Sequence, residues 1–208
     1  MNVVFDLGAV LLTWQPAQLL QQTFATQASS EAAARQLAHQ VFSHPDWHAF
    51  DQGLMEADAV IERTASRLDL PLPAVHQLVH GIADRLTPIA GTLAILDGLR
   101  ARRQAGDAAV SGLYYLSNMP LMYARYLQGH YEFLHWFDGG LFSADVRLIK
   151  PDPAFYRRLA AQYALEPEQT VFIDDLKANV SAAQALGWQG IHFESPPQLQ
   201  QQLALLGL

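Results

Sequence analysis

Three stretches of this 208-residue chain put reactive side chains at the end of a short apolar run. Val3-Val4-Phe5 stops at Asp6, Leu113 to Leu116 stops at Ser117-Asn118, and Val171-Phe172-Ile173 stops at Asp174-Asp175. Neighbouring carboxylates repel, so the acid pair needs a cation or strong donors. Hard oxygen donors in a chain without cysteine point to Mg²⁺ rather than a softer metal. Asp6, with an ordinary pKa of about 3.9, is ionised at neutral pH and can act as a nucleophile. Lys150, within Ile149-Lys150-Pro151-Asp152-Pro153, adds a cation to the set. Each station also has a plain structural alternative. Asp174 or Asp175 could cap the following helix, Ser117 could be a turn residue, and Lys150 could be exposed before a proline-braced turn.

Open parallel sheets bind their ligands outside the carboxyl ends of the strands, so these stations belong together only on one such sheet. The pattern of the chain supplies it. After residue 89, helices predicted over Thr92–Arg103, Met122–Tyr131, Pro153–Tyr163, Ala178–Leu186 and Pro197–Leu206 alternate with strands at Leu113–Leu116, Phe137–Phe142, Val171–Ile173 and Gly190–Phe193. The strand at Phe137–Phe142 is weak, with Gly139-Gly140 inside it. Between the first strand and this region the chain reads as all-helical: Pro16–Phe24, Ser29 or Ser30 to Phe42, Glu56–Leu68 and Ala74–Leu86. The expected architecture is α/β, a Rossmann-like parallel sheet core (residues 1–13 and 89–208) with an inserted α-helical cap (residues 14–88). The insert would lie over the C-terminal edge of the sheet.

The net charge of −7, with no basic stripe, argues against nucleic acid as a partner. An anionic ligand therefore needs a local positive device such as a metal ion, a lysine or a helix N-terminus. No apolar segment approaches a membrane span, and no basic region precedes the first apolar run, so a cytoplasmic protein without signal peptide or membrane partner is expected. Oligomeric state is open.

At these residues the sequence resembles the haloacid dehalogenase-like superfamily. Its first motif, an apolar strand followed by Asp-x-Asp-x-Thr/Val, stands here as Val4-Phe5-Asp6-Leu7-Gly8-Ala9-Val10. Its second stands as Leu116-Ser117-Asn118, its third as Lys150-Pro151-Asp152-Pro153 and its fourth as Phe172-Ile173-Asp174-Asp175. Asn179, Ala183 and Gly187 follow at familiar spacing. The four motifs occur in order and span nearly the whole chain. The likeness is closest to the branch with a Phe-Asp-Leu-Gly start and a four-helix cap, which includes glucose-1-phosphate phosphatase-like proteins and the phosphatase domain of soluble epoxide hydrolase.

The resemblance implies that the first and fourth strands lie side by side. It implies an Mg²⁺-dependent phosphomonoester hydrolase acting on a small phosphorylated metabolite such as a sugar phosphate. Asp6 would be the catalytic nucleophile and form an aspartyl-phosphate. Asp6, the main-chain carbonyl of Gly8, Asp174 and Asp175 would hold the metal. Ser117 and the Asn118 backbone would bind phosphate, and Lys150 would offset the charge of phosphate and nucleophile. Gly8 departs from the family pattern, which has a second Asp there as general acid and base. The loss of such proton transfer is worth roughly 10²- to 10⁴-fold. Slow turnover or a bias towards good leaving groups is expected, unless a cap residue such as His48 or Asp51 takes over. Two alternatives follow: a metal-independent haloacid dehalogenase, whose members also lack the second Asp, or a non-catalytic protein that binds a phosphorylated ligand or a partner.

The histidine pairs His44/His48 and His76/His80 have the i, i+4 spacing of zinc ligands, but with no third ligand in sight they read as a solvated face. Trp14, Trp47 and Phe50 could line a pocket; packing is the simpler reading.

Overall fold

The computed structural model describes residues 1–208. Five strands, β1 (Asn2–Phe5), β2 (Gly112–Ser117), β3 (Gly139–Phe142), β4 (Thr170–Asp174) and β5 (Gln189–His192), form one sheet in the order β3-β2-β1-β4-β5. Every pairing is parallel. Parallel strands are covered on both faces, and the sequence of β1 has the continuous apolar run this requires. Val3, Val4 and Phe5 are all without solvent exposure.

Eleven α-helices accompany the sheet. They are α1 (Pro16–Thr23), α2 (Glu31–Phe42), α3 (Pro45–Asp51), α4 (Ala57–Leu68), α5 (Leu72–His80), α6 (Ala90–Gln104), α7 (Leu121–His130), α8 (Ser143–Val146), α9 (Pro153–Tyr163), α10 (Lys177–Ala185) and α11 (Pro196–Leu205). The alternation of side chains along the strands splits the core in two. Val3, Phe5, Leu113 and Ile173 pack with Leu96 and Leu99 of α6, Leu127 of α7 and Leu199 and Leu203 of α11. Val4, Leu116 and Phe172 face the other way, onto Phe155, Tyr156 and Leu159 of α9 and Ala183 of α10.

The first and fourth strands are neighbours, as the family resemblance implies, with Phe5 opposite Ile173. The boundaries of α2, α4 and α9 fall within a residue or two of their predicted positions. Ser30 caps α2, its hydroxyl accepting from the Ala33 N–H at 3.1 Å. Three differences have physical causes. The stretch expected as one helix to Leu86 stops at His80, because Gly81 closes α5 and a short 3-10 turn, Ala83–Arg85, follows. Pro45 starts a separate α3 that the sequence pattern does not resolve, since seven residues are too few for a periodicity. The weak strand begins only at Gly139, and its glycines answer a steric demand: a Cβ at Gly139 would lie 2.4 Å from the Tyr163 ring, and one at Gly140 would lie 2.4 Å from the Tyr115 ring.

Helices α1 to α5 all lie in the connection between β1 and β2. The chain leaves and re-enters the core through paired segments. Thr13 N–H donates to Thr87 C=O at 2.7 Å, and Ile89 N–H donates to Leu11 C=O at 2.8 Å. The Thr13 and Thr87 hydroxyls lie 3.0 Å apart across the same junction. An edge-to-face series of rings, Trp14–Phe42–Trp47–Phe50–Tyr123, with centroids 4.6 to 5.9 Å apart, runs from this junction through α2 and α3 to α7. Trp47 and Phe50 are buried, as the packing reading expects. No helix is long and apolar enough to cross a membrane.

Candidate active site

The register of β1 and β4 brings two of the sequence motifs together. Beyond the Phe5–Ile173 pair, Asp6 N–H continues the ladder to Ile173 C=O at 2.8 Å, which sets Asp6 beside Asp174. The chain then turns sharply: Leu7 C=O accepts from Leu11 N–H at 2.8 Å and Leu12 N–H at 2.7 Å, and Ala9 takes the left-handed step of the turn at φ 58°. The Asp6 carboxylate is held by its own strand end, Oδ1 accepting from Leu7 N–H at 2.7 Å.

Lys150 arrives from the loop before α9 and lies between the two acids. Its Nζ is 2.8 Å from Asp6 Oδ1 and 2.7 Å from Asp174 Oδ2, with the side chain 1% exposed. The alternative of an exposed lysine is thereby overturned. Asp174 is saturated with donors: Asn179 Nδ2 reaches both its oxygens at 3.0 Å, and Leu176 N–H reaches Oδ1 at 2.8 Å. That last bond is a local Asx-type turn before α10, whose N-cap is Leu176 rather than either aspartate. Asn179 is itself fixed, its carbonyl accepting from the Tyr156 hydroxyl at 2.9 Å. Asp175 is set by His192 at the end of β5, whose Nε2 lies 2.9 Å from the Asp175 carbonyl.

Ser117 ends β2, next to β1, and is 1% exposed. Asn118 turns its side chain to the lysine loop: Lys150 N–H donates to Oδ1 at 2.8 Å and Nδ2 donates to Lys150 C=O at 3.1 Å. Sequence reasoning placed Asn118 here for its backbone and missed this role of its side chain. It also missed His192, and noted Asn179 by spacing alone. An Asn two residues into a helix carries no local sign that it faces a strand end.

Electrostatics mark the cluster as incomplete without a cation. Burial pushes the Asp6 carboxyl up to about 7 against the pull of Lys150. Burial and the charge of Asp174 push Asp175 up to about 6. Burial alone would lower the Lys150 pKa, but Asp174 and Asp6 outweigh it and raise it. Donor oxygens of Asp6, Asp174 and Asp175 all lie within 4.8 Å of one another. Three carboxylates and one ammonium leave a formal surplus of two negative charges. Hard oxygen donors and that surplus fit a divalent ion such as Mg²⁺. No backbone hydrogen bond of the turn uses the Gly8 carbonyl.

On α3, within the insert between β1 and β2, His48 is exposed and Asp51 is partly buried. His76 and His80, on α5, do find a third neighbour: Asp58 of α4 comes within 4.8 Å, which corrects the reading that none is present, though all three are exposed. A cavity of about 430 Å³ opens where the inserted helices join the sheet, between Trp14, Gln18, Asp84 and Thr87, and none of Asp6, Asp174 and Asp175 lines it.

An open parallel sheet with Asp6, Lys150 and the Asp174-Asp175 pair gathered at its carboxyl edge defines a class. Residues 2–187 match the haloacid dehalogenase-like hydrolase family, and the chain belongs to that family and is a hydrolase. It is 28% identical over 190 residues to a sesquiterpene phosphatase of Aspergillus oryzae, covering 91% of this chain and 87% of that protein. Among solved structures it resembles an enzyme of the same family from Bacteroides thetaiotaomicron, crystallised with magnesium and inorganic phosphate (TM-score 0.68, 18% identity, 93% of each chain). It also resembles an L-2-haloacid dehalogenase from Xanthobacter autotrophicus with chloropropionic acid covalently bound (TM-score 0.64, 18% identity, 98% of this chain and 82% of that one). At such identities these two likenesses concern the fold.

Proposed function

We propose that the protein hydrolyses phosphomonoesters through an aspartyl-phosphate on Asp6. The observation that carries this reading is the Asp6–Lys150–Asp174 arrangement, with Asp175 beside it. Asp6, the Gly8 carbonyl and Asp175 would hold Mg²⁺. Asp174, whose oxygens already accept from Lys150, Asn179 and Leu176, would contribute directly or through water. Bound there, the ion would offset the repulsion between the carboxylate and the phosphate and polarise a P–O bond.

The chain's own groups do the rest. Asp6 attacks phosphorus, and Lys150 balances the charge of both anions during the attack. Ser117 and the Asn118 N–H would orient the phosphate oxygens, holding phosphorus in line with Asp6. Helices α1 to α5, over residues 14–88, would act as the cap that selects the leaving group.

For the substrate we infer a small phosphorylated metabolite. A sugar 1-phosphate follows from the branch resemblance; the sesquiterpene phosphatase relative adds terpenyl monophosphates to the candidates. Assay of sugar 1-phosphates, a sesquiterpenyl monophosphate and an aryl phosphate, with Mg²⁺ or chelator, tests the reading. Hydrolysis that needs Mg²⁺ and disappears in Asp6→Asn supports it. Halide release from a haloacid without metal would establish the dehalogenase alternative instead.

A further inference from the structure

The helix that carries the cap's acid is pinned to the catalytic core at that very point. The Ser143 hydroxyl, at the start of α8, donates to the carbonyl of Asp51, the last residue of α3, and accepts from Met119 N–H at 2.8 Å. Two residues on, Gly53 at φ +67° lies so close to α8 that a Cβ would meet the Ala144 carbonyl at 2.9 Å. One residue before, the Phe50 ring packs edge-on against Tyr123 of α7 at 5.9 Å. Met119 lies in the loop that follows β2, and Ser143 and Ala144 begin α8 directly after β3, at the same carboxyl edge that presents Ser117. Asp51 is therefore fixed at the cap–core interface rather than riding on a free surface.

Its carboxylate is not used by the fold. No protein donor bonds to it, while its backbone carbonyl does the anchoring. Lys150 and the Tyr123 phenol are the titratable groups that feel its charge. His48, on the same helix, faces solvent. Gly8, two residues after Asp6, supplies no side chain, and the space is open: a Cβ there meets only the Trp14 Cβ, at 4.0 Å.

We propose that Asp51 is the general acid and base of the reaction, performing from the cap the task that Gly8 cannot. This rests on the phosphatase reading above. In the first half, Asp6 forms a bond to phosphorus and the bond from phosphorus to the ester oxygen breaks. Its electron pair stays on that oxygen, which takes the proton of the Asp51 carboxyl and leaves as the alcohol. In the second half, water loses a proton to the Asp51 carboxylate and bonds to phosphorus, the P–O bond to Asp6 breaks, and phosphate departs with both carboxyl groups restored. Two features keep Asp51 protonated for the first half. It ends a helix, where the negative end of the dipole disfavours a carboxylate. Burial, only partly opposed by Lys150, pushes its pKa up to about 8.

The experiment compares Asp51→Asn with wild type on an activated aryl phosphate, whose phenolate leaves unaided, and on an alkyl phosphate, whose alkoxide does not. The expected result is a fall in kcat of roughly 10²- to 10⁴-fold on the alkyl ester and a much smaller one on the aryl ester. The wild-type alkaline decline of alkyl-ester turnover should vanish in the variant. Adding Gly8→Asp to Asp51→Asn should restore alkyl-ester turnover, which a merely structural role for Asp51 would not allow. Equal losses on both esters, or none, would overturn the assignment while leaving the Asp6 reading intact. A wild-type protein with no Mg²⁺-dependent hydrolysis of any phosphoester would remove both.

Discussion

The side chain of Asn118 grips the main chain of Lys150 at two points, accepting from its N–H at 2.8 Å and donating to its carbonyl at 3.1 Å. A lysine has four rotatable bonds, so a buried ammonium placed between two carboxylates needs its backbone fixed first. Asn118→Ala should free that loop. We expect kcat to fall about 10- to 100-fold, the scale on which loss of an orienting partner is felt, with a smaller change in KM. An unchanged kcat would mean that the Asp6 and Asp174 contacts alone place the lysine.

Lys150 itself holds apart two buried acids. Removing one member of a buried ionic cluster costs about 3–5 kcal/mol, because the partners stay uncompensated. For a chain of this size that lowers Tm by roughly 6–20 °C. Lys150→Met should show such a loss in thermal unfolding, and millimolar Mg²⁺ should recover part of it by taking over the charge. A variant as stable as wild type in chelator would contradict this account of the cluster.

The carboxyl of Asp51 offers a test by pH that needs no substrate. Its ordinary pKa of 3.8 is pushed up to about 8 by burial. Below the ordinary value both folded and unfolded chains hold the proton, so the group is neutral to stability. As pH rises above about 4 the unfolded chain releases it and the folded chain does not, so stability falls until about pH 8 and then levels. Asn cannot ionise and escapes this loss. The Tm of Asp51→Asn should exceed that of wild type by a few degrees near pH 8 and by little near pH 4. A constant difference across that range would show that Asp51 is ionised in the folded protein.

Gly140 illustrates a stability constraint apart from the chemistry. A methyl group there would press on the base of the Tyr115 ring at 2.4 Å, and the sheet cannot give way without disturbing β2. Gly140→Ala should cost about 1–3 kcal/mol, as overpacking does. Calorimetry would measure it.

Much of this was legible in the chain itself, for reasons tied to particular residues. Asp6, Ser117 and Asp174-Asp175 each sit at or just past an apolar run, and strands of a parallel sheet deliver their ends to one edge; Lys150, in the loop before α9, is legible from its Lys150-Pro151-Asp152-Pro153 motif. The order of the runs together with the motif residues was enough to place them. What the sequence hid was lateral. Asn179 bonds Asp174 from one helical turn away, Asn118 turns back on Lys150 across 32 positions, and His192 meets Asp175 from the next strand. Such partners depend on register and rotamer, which no spacing encodes. The His76–His80 pair is the same case: Asp58 lies on a different helix, and only the packing of α4 on α5 brings it near. Gly139 and Gly140 weakened the strand pattern because they make room for tyrosines far along the chain.

The paired crossing at Leu11–Ile89 and Thr13–Thr87 means that the connection carrying five helices leaves and rejoins the sheet through a doorway closed by two backbone hydrogen bonds. A helical layer of another size or lining could be grafted there while β1 and β2 stay in register; with α1 to α5 acting as the proposed cap, selection could then rework what the protein accepts without touching how it reacts. The exception follows from the proposal made for Asp51: with Asp51 as the acid, a lineage that keeps Gly8 would have to keep α3.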